Sequence, residues 1–386
     1  MTKPAVQSAP ASVPKSAFWS AVKQEAVLAT AFFCAVLTMF FVPPSPAYLD
    51  YIDFRVLALL FCLMVVVAGV QRCGLFDVLA QRLLSGSKQI RLLSLLLVLM
   101  PFIGSMLITN DVALLAFVPF AIVVLNMIGR QHDLILVITA QTLAANLGSM
   151  ATPIGNPQNL YLYSKFQIPI FSFFAAMLPY TLVSFLGLVL MVFLFKKESI
   201  HVRFRSLRTI SNPRQVVLMG ALFLLCLLSV LHLIHYGVVL ALVLAAMLVF
   251  ARDLFRKADY SLLATFVCFF ICAGNIGQMD GIRNFLTSMM DKSTLVSSVL
   301  ASQVISNVPA AVLLSGFTER WKELLIGVNV GGLGTLIASL ASLISFKLYL
   351  KTPGARPLKY LGVFTVANAV GLLVLMAAAA MWNHLP

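Results

Sequence analysis

Asn146-Leu147-Gly148-Ser149-Met150-Ala151-Thr152-Pro153-Ile154 returns later in the chain as Asn329-Val330-Gly331-Gly332-Leu333-Gly334-Thr335-Leu336-Ile337. Asn, Gly, Thr and Ile all recur at one spacing of 183 residues. Upstream, Ser105-x-x-Ile108-Thr109-Asn110-x-x-Ala113 returns as Ser302-x-x-Ile305-Ser306-Asn307-x-x-Ala310, at a spacing of 197. Two motifs in the same order in both halves point to an internal duplication, with Ala68-Gly69 against Ala273-Gly274 as a weaker echo. Each motif interrupts an apolar run with small and polar residues. Small-residue spacings such as Gly331-Gly332-x-Gly334 also serve plain helix packing in membranes. Packing alone does not ask for two Asn-centred breaks in each half.

The composition says which solvent surrounds these runs. Of 386 residues, 61% are apolar and 10% charged, against roughly 45–50% and ~25% in a soluble domain. So much apolar side chain requires lipid around much of the surface. That excludes a soluble enzyme, a disordered chain and a nucleic-acid-binding module. The formal charge of +14 reads as Lys and Arg gathered in cytoplasmic loops, with no nucleic-acid partner. The six cysteines lack C-x-x-C spacing and read as packing residues. His232 and His235 read as interfacial residues of an outer turn. No metal site, no cofactor and no enzymatic motif such as H-E-x-x-H or G-x-S-x-G is indicated.

The expected fold is an all-α polytopic membrane protein of about nine spans plus two re-entrant hairpins. Residues 1–24 read as a cytoplasmic tail followed by a retained helix. The first repeat covers 25–195, with a hairpin at about 90–129 and a broken helix at about 134–163. A basic cytoplasmic linker, 196–214, joins it to a second repeat over 215–382, which has one extra helix. There the hairpin lies at about 293–318 and the broken helix at about 323–347. The simple spans are 25–43, 55–71, 169–195, 215–232, 236–252, 261–276 and 360–382. With the N-terminus inside, 21 basic residues fall in inner segments and six (Arg55, Lys165, Arg283, Lys292, Arg320 and Lys322) in outer ones. The C-terminus then lies outside, and the hairpins enter from opposite sides. Inverted repeats with broken helices at the midplane are the recurrent architecture of secondary transporters. Unwound carbonyls there suit cations, and half-helix N-termini suit anions.

The run Asn146 to Asn159 (Asn-x-Gly-x-x-x-Thr-x-x-Gly-x-Pro-x-Asn) resembles the corresponding segment of the ion transporter superfamily. That group holds citrate-type carboxylate carriers, arsenite permeases and divalent-anion:sodium symporters. The motifs around Asn110 and Asn307 resemble the paired Ser-Asn-Thr tips of the symporters, although Thr109-Asn110-Asp111 and Ser306-Asn307-Val308 both depart from that tip. The likeness spans roughly residues 55–350. It implies a scaffold with a part that moves across the membrane, a carboxylate or oxyanion substrate, and a Na⁺ or H⁺ gradient.

The residues expected at the substrate are Thr109, Asn110, Ser306, Asn307, Asn146, Thr152, Asn329 and Thr335. Those expected at the coupling ion are Asp111, Gly148, Ser149, Gly155, Gly331 and Gly332. Asp111 is the one carboxylate in an apolar hairpin, where an acid is costly and functional by default; the competing reading is a helix cap. Asp280 follows a break near the outer surface. Gln158 and Asn159 either line the site or satisfy freed backbone. No arginine falls near either tip in sequence. The expected function is a secondary active anion transporter of a bacterial inner membrane. Alternatives are an arsenite-type or Na⁺/H⁺ exchanger and an anion channel. The expected partners are the bilayer and a small anion, with a homodimer left open.

Overall fold

The computed structural model describes residues 26–75, 78, 81–82, 86–193, 198–202, 209–210 and 212–383. The expected tail lies outside them, as do Lys196, Lys197, Arg203, Arg205 and Arg208 of the linker. The described chain is built of helices, with one two-stranded ribbon. Seven helices are long and apolar enough to cross a membrane. Large apolar side chains such as Phe33, Phe40, Phe171 and Leu358 face outward, as lipid-facing residues do.

The first half contains α1 (Ala26–Met39), α2 (Phe54–Arg72), β1 (Gly86–Gln89), α3 (Ile90–Leu107), α4 (Asn110–Met127), α5 (Leu134–Ser149), α6 (Pro157–Lys165) and α7 (Ile170–Val192). The second contains β2 (Ser199–Val202), α8 (Pro213–Val230), α9 (Tyr236–Phe250), α10 (Tyr260–Gly277) and α11 (Asp280–Lys292). It continues with α12 (Thr294–Ile305), α13 (Asn307–Leu314), α14 (Trp321–Val330), α15 (Leu340–Leu350) and α16 (Pro357–Asn383). Helix starts follow local chemistry. Asp53, Asn156, Asn212 and Asp259 each accept a backbone N–H of the first turn, and Pro157 and Pro213 follow the two asparagine caps.

Both expected hairpins form, as α3–α4 and α12–α13. The first is the longer. Its 18-residue arms span ~27 Å each, and the second hairpin's arms of 12 and 8 residues span only ~18 and ~12 Å. Both expected helix breaks form too, between α5 and α6 and between α14 and α15. Residues 280–292, which lie outside the expected spans, form the amphipathic helix α11, with Met290 buried. Asp280 is its first residue.

Long-range contacts sort the connections onto two faces. Arg91 donates to the Phe193 carbonyl at 3.2 Å, Arg130 pairs with Glu198, and β1 pairs antiparallel with β2. Arg72 pairs with Asp253. These bonds gather Arg72, 86–91, Arg130, Phe193, 198–202 and Asp253 at one face. At the other, Arg55 donates to the Ser229 carbonyl at 3.0 Å, and Asn275 donates to Tyr48 Oη at 2.9 Å and Thr38 Oγ1 at 3.1 Å. Arg320 reaches the Asp291 carbonyl there at 3.3 Å. The first hairpin therefore opens to the first face and the second hairpin to the opposite one.

Candidate functional site

Each hairpin tip is tied to the broken helix of its own half by the same two bonds. The Asn110 N–H donates to the Gly155 carbonyl at 3.1 Å, and the Asn307 N–H to the Ala338 carbonyl at 3.0 Å. Thr152 Oγ1 donates to the Met106 carbonyl at 2.6 Å, and Thr335 Oγ1 to the Gln303 carbonyl at 3.1 Å. Gly155 and Ala338 are 183 residues apart, and Met106 and Gln303 are 197 apart. The two repeated motifs thus find their use in one repeated joint. Gly148 and Gly331 let the hairpin arm come close. A Cβ at Gly148 would sit 2.7 Å from Ser105 Oγ, and one at Gly331 would sit 2.8 Å from Ser302 Cβ. A Cβ at Gly332 would meet the Asn307 amide at 2.9 Å, and one at Gly155 would collide with the Ser149 backbone.

A crossed amide network then joins the halves. Asn146 Oδ1 accepts from Ser339 Oγ at 3.0 Å, and Asn146 Nδ2 donates to Ser342 Oγ at 3.4 Å. Asn329 Oδ1 accepts from Asn156 at 3.1 Å, and Asn329 Nδ2 donates to Asn159 Oδ1 at 2.6 Å. Ser339 and Ser342 stand 183 residues beyond Asn156 and Asn159. Each asparagine therefore bonds the opposite half's counterpart of what its own twin bonds. Asn110 extends the network by donating to Asn146 Oδ1 at 3.0 Å. The amides of Asn146 and Asn329 are occupied in holding halves together. Asn159 also donates to the Ser149, Met150 and Thr152 carbonyls at 3.1–3.4 Å. Of its two expected roles, it serves the freed backbone. Ser149 is engaged too, donating to the Asn146 carbonyl at 2.9 Å and accepting from Asn156 at 3.2 Å.

The tips differ in two respects. Ser306 has φ +72° and ψ 156°, a region otherwise almost reserved for glycine and typical of functional sites; Thr109, its counterpart, is ordinary extended backbone at φ −59°. Asp111 has Val308 as its counterpart. The cap of α4 is Thr109, and Asp111 is the second residue of its first turn, half-buried. No hydrogen bond to its carboxylate forms among the described residues, so the cap reading has no bond behind it. The acid still lies at the positive end of the α4 dipole.

Thr109 and Asp111 open onto a cavity of about 530 Å³ between the first hairpin and α2 and α10. Asn156 and Pro157 at the start of α6 line its floor, and Arg72, Lys257 and Asp259 line it toward the first face. The N-termini of α4 and α6 converge on this space, two half-helix ends that attract anions. The sequence places no arginine near a tip, and packing corrects this by bringing Arg72 from the end of α2. Arg72 is ion-paired with Asp253, which lies outside the spans. That hydrogen bond holds the Asp253 carboxyl below its ordinary range. Ser306 and Asn307 are buried at the other tip, away from this cavity, while Thr335 is exposed.

The sequence reasoning missed Arg72, Lys257, Gln303, Ser339 and Ser342. For the serines a signal existed, since they keep the 183-residue spacing from Asn156 and Asn159. Gln303 is a polar residue in an apolar hairpin arm. Lys257 and Arg72 carry no local signal.

A comparison with family models matches residues 19–318 to the citrate transporter family. An uncharacterized transporter of Methanocaldococcus jannaschii, MJ0456, is 32% identical over 332 residues, covering 86% of this chain and 90% of its own. The inner membrane protein YbiR of Escherichia coli is 31% identical over 316 residues, covering 80% and 84%. The silicon efflux transporter LSI3 of Oryza sativa is 31% identical over 151 residues, covering 38% and 30%. These relatives are transporters or membrane proteins, none named as an enzyme, and the chain is a membrane-spanning transporter that belongs to the citrate transporter family.

Proposed function

We propose that the protein is a secondary active transporter of a small anion, a carboxylate or an inorganic oxyanion, driven by a Na⁺ or H⁺ gradient. The observation that carries this reading is the cavity at the first tip. It combines two helix N-termini, hydroxyl and amide groups, two cations at its mouth and a single membrane-embedded acid. An anion entering it meets Arg72 and Lys257 first, then Thr109 and the positive ends of the α4 and α6 dipoles. A cation beside Asp111 would offset the desolvation of the acid and add positive charge for the anion.

The two repeats supply the motion. The joints between tips and breaks make each hairpin and broken helix one body, and the crossed amides unite the two bodies. The second arm of each hairpin packs on the far half of the other repeat's broken helix, α4 on α15 and α13 on α6. This paired body sliding against α1, α2 and α8–α10 is an elevator-type exchange. The first face carries the larger share of the basic residues and is the cytoplasmic one, which gives an inverted-repeat protein of a bacterial inner membrane. The cavity then faces the cytoplasm. Uptake into proteoliposomes, screened over carboxylates and oxyanions with separate Na⁺ and H⁺ gradients, tests the reading. Saturable uptake with counter-flow supports it, and non-saturating flux would make the protein a channel.

A second reading, efflux of a metalloid oxyanion or acid, is favoured by one observation. Among the described residues, the only carboxylates lining the cavity are Asp111 and Asp259, a proton-carrying pair suited to exchange, and the rice relative is named a silicon efflux transporter. The same vesicles loaded with arsenite or silicic acid would show it.

A further inference from the structure

Two cavities apart from the one at the first tip meet at the start of α16. The first, about 460 Å³, lies at the first face, between the end of the first hairpin and the turn from α15 to α16. Gln131, His132, Thr352, Arg356 and Lys359 line it and, among the described residues, no carboxylate does. The neighbouring acid, Asp133, is already turned to Arg130 at 4.0 Å and to His132 at 3.6 Å. Residues 347–359 carry Lys347, Lys351, Arg356 and Lys359, and no Asp or Glu follows Glu323. Among the described residues none of these four cations pairs with an acid. A basic cluster beside a membrane helix suits anionic lipid.

The second cavity, about 610 Å³, is a groove between α5, α7 and α16, apolar except for Ser184. The Ser184 hydroxyl is spent on the Tyr180 carbonyl at 2.7 Å. Along α16 the groove runs from Gly362 to Leu375, ~20 Å of helix, against ~15 Å for half of a hydrocarbon core. Met191 and Leu136 place its near end at the first face. A Cβ on Gly187 or on Gly362 would meet no atom within 4 Å, so two missing side chains help to open it. The cavities share one face of α16. Lys359, Val363, Val366 and Val370 follow at spacings of three and four residues, the lysine in the first cavity and the valines in the second. On α5, Ile135 borders the first and Leu136 the second.

We propose that the two cavities form one site for an anionic glycerophospholipid of the leaflet at the first face, with its phosphate on Arg356 and Lys359 and an acyl chain in the groove. The charge of the first cavity complements the headgroup, and the length and apolar walls of the second complement the tail. A free phosphate leaves the groove empty, and an uncharged lipid leaves the cations unmatched. The tail packs on Leu143 and Leu147, which stand on either side of Asn146 in α5. The lipid thus forms part of the wall behind the crossed amides.

The test is a lipid titration of the purified full-length protein in detergent, read as the unfolding midpoint, whose rise with concentration reports affinity for the folded form. Phosphatidylglycerol is expected to raise the wild-type midpoint at concentrations where phosphatidylcholine and inorganic phosphate leave it unchanged. Arg356→Gln combined with Lys359→Gln removes two exposed cations and should weaken phosphatidylglycerol ~30-fold. Gly362→Leu fills the groove while keeping both cations, and should abolish the shift; Gly187→Leu does the same from α7. Equal shifts from both lipids would mean ordinary bilayer solvation and overturn the inference. A shift from inorganic phosphate as large as that from phosphatidylglycerol would overturn it in favour of a free-anion site. An undiminished phosphatidylglycerol shift in the double glutamine variant, or in both leucine variants, would also overturn it. So would a dimer in sedimentation that Gly362→Leu dissociates, which would give the groove to a second copy of the chain.

Discussion

At the scale of single residues, the membrane-embedded acid carries the sharpest expectation. Asp111→Asn keeps the shape and the oxygen of the side chain and removes its charge. If the acid only stabilised α4, the change would cost ~0.3–1 kcal/mol of dipole interaction and leave ion dependence unaltered. As a coupling group, its loss is expected to flatten the dependence of initial uptake on Na⁺ or pH, or to stop net transport while exchange continues. Superimposable cation curves for mutant and wild type would return it to structure. The tip asparagines are expected to behave alike: Asn110→Ala and Asn307→Ala abolish uptake with near-normal membrane expression. Ser306 offers a different measurement. Its backbone strain costs on the order of 1–3 kcal/mol, so Ser306→Gly should raise the unfolding midpoint while lowering uptake. A glycine variant that is both stabilised and fully active would mean the hydroxyl has no part in transport.

At the scale of elements, the joint between hairpin and broken helix depends on absent side chains. Gly148→Ala and Gly331→Ala each push a methyl group into the neighbouring hairpin arm. Overpacking of this kind costs typically ~1–3 kcal/mol, read as reduced expression and an earlier unfolding transition. This joint was legible in the sequence, because Gly, Pro and Asn are the residues that stop a helix and they recur at fixed spacings. Helix α11 was not legible, because charges at Asp280, Arg283, Asp291 and Lys292 masked the apolar face formed by Leu286, Met289 and Met290. Arg72 at the cavity was equally hidden. Its place depends on α2 packing beside a hairpin far along the chain, which no local pattern encodes. The Arg72–Asp253 pair gives a pH expectation. Its carboxyl is held below the ordinary range by Arg72, so the pair's stabilisation is complete above the ordinary carboxylate pKa and is lost as pH falls through the lowered one. Releasing Arg72 toward the cavity is expected to lower the KM for the anion. Asp253→Asn should therefore lower KM several-fold at neutral pH, and an unchanged KM would leave the pair purely structural.

At the scale of the whole molecule, the charge census and the contacts sort the loops in the same way. Loops assigned to one side by their Lys and Arg are those that bond one another: Arg91 with Phe193, Arg130 with Glu198, Arg72 with Asp253. Had the first hairpin been a single span, every later loop would have changed sides, and Arg91 and Phe193, like Arg72 and Asp253, would lie a membrane apart. The agreement carries a decisive labelling expectation. Single cysteines placed beside Arg91 and beside Arg130, in a background with the six native cysteines replaced, should both be modified only after the membrane is opened. Cysteines beside Lys292 and Arg320 should be modified in intact cells by a reagent that does not cross lipid. Opposite-side labelling within either pair would break the hairpin assignment. Same-side labelling of all four would keep both hairpins yet remove the inversion, and with it the reason for two half-sites facing one another across Asn146 and Asn329. Only the split pattern, two inside and two outside, leaves a body with a tip reachable from each side of the membrane, as alternating access requires.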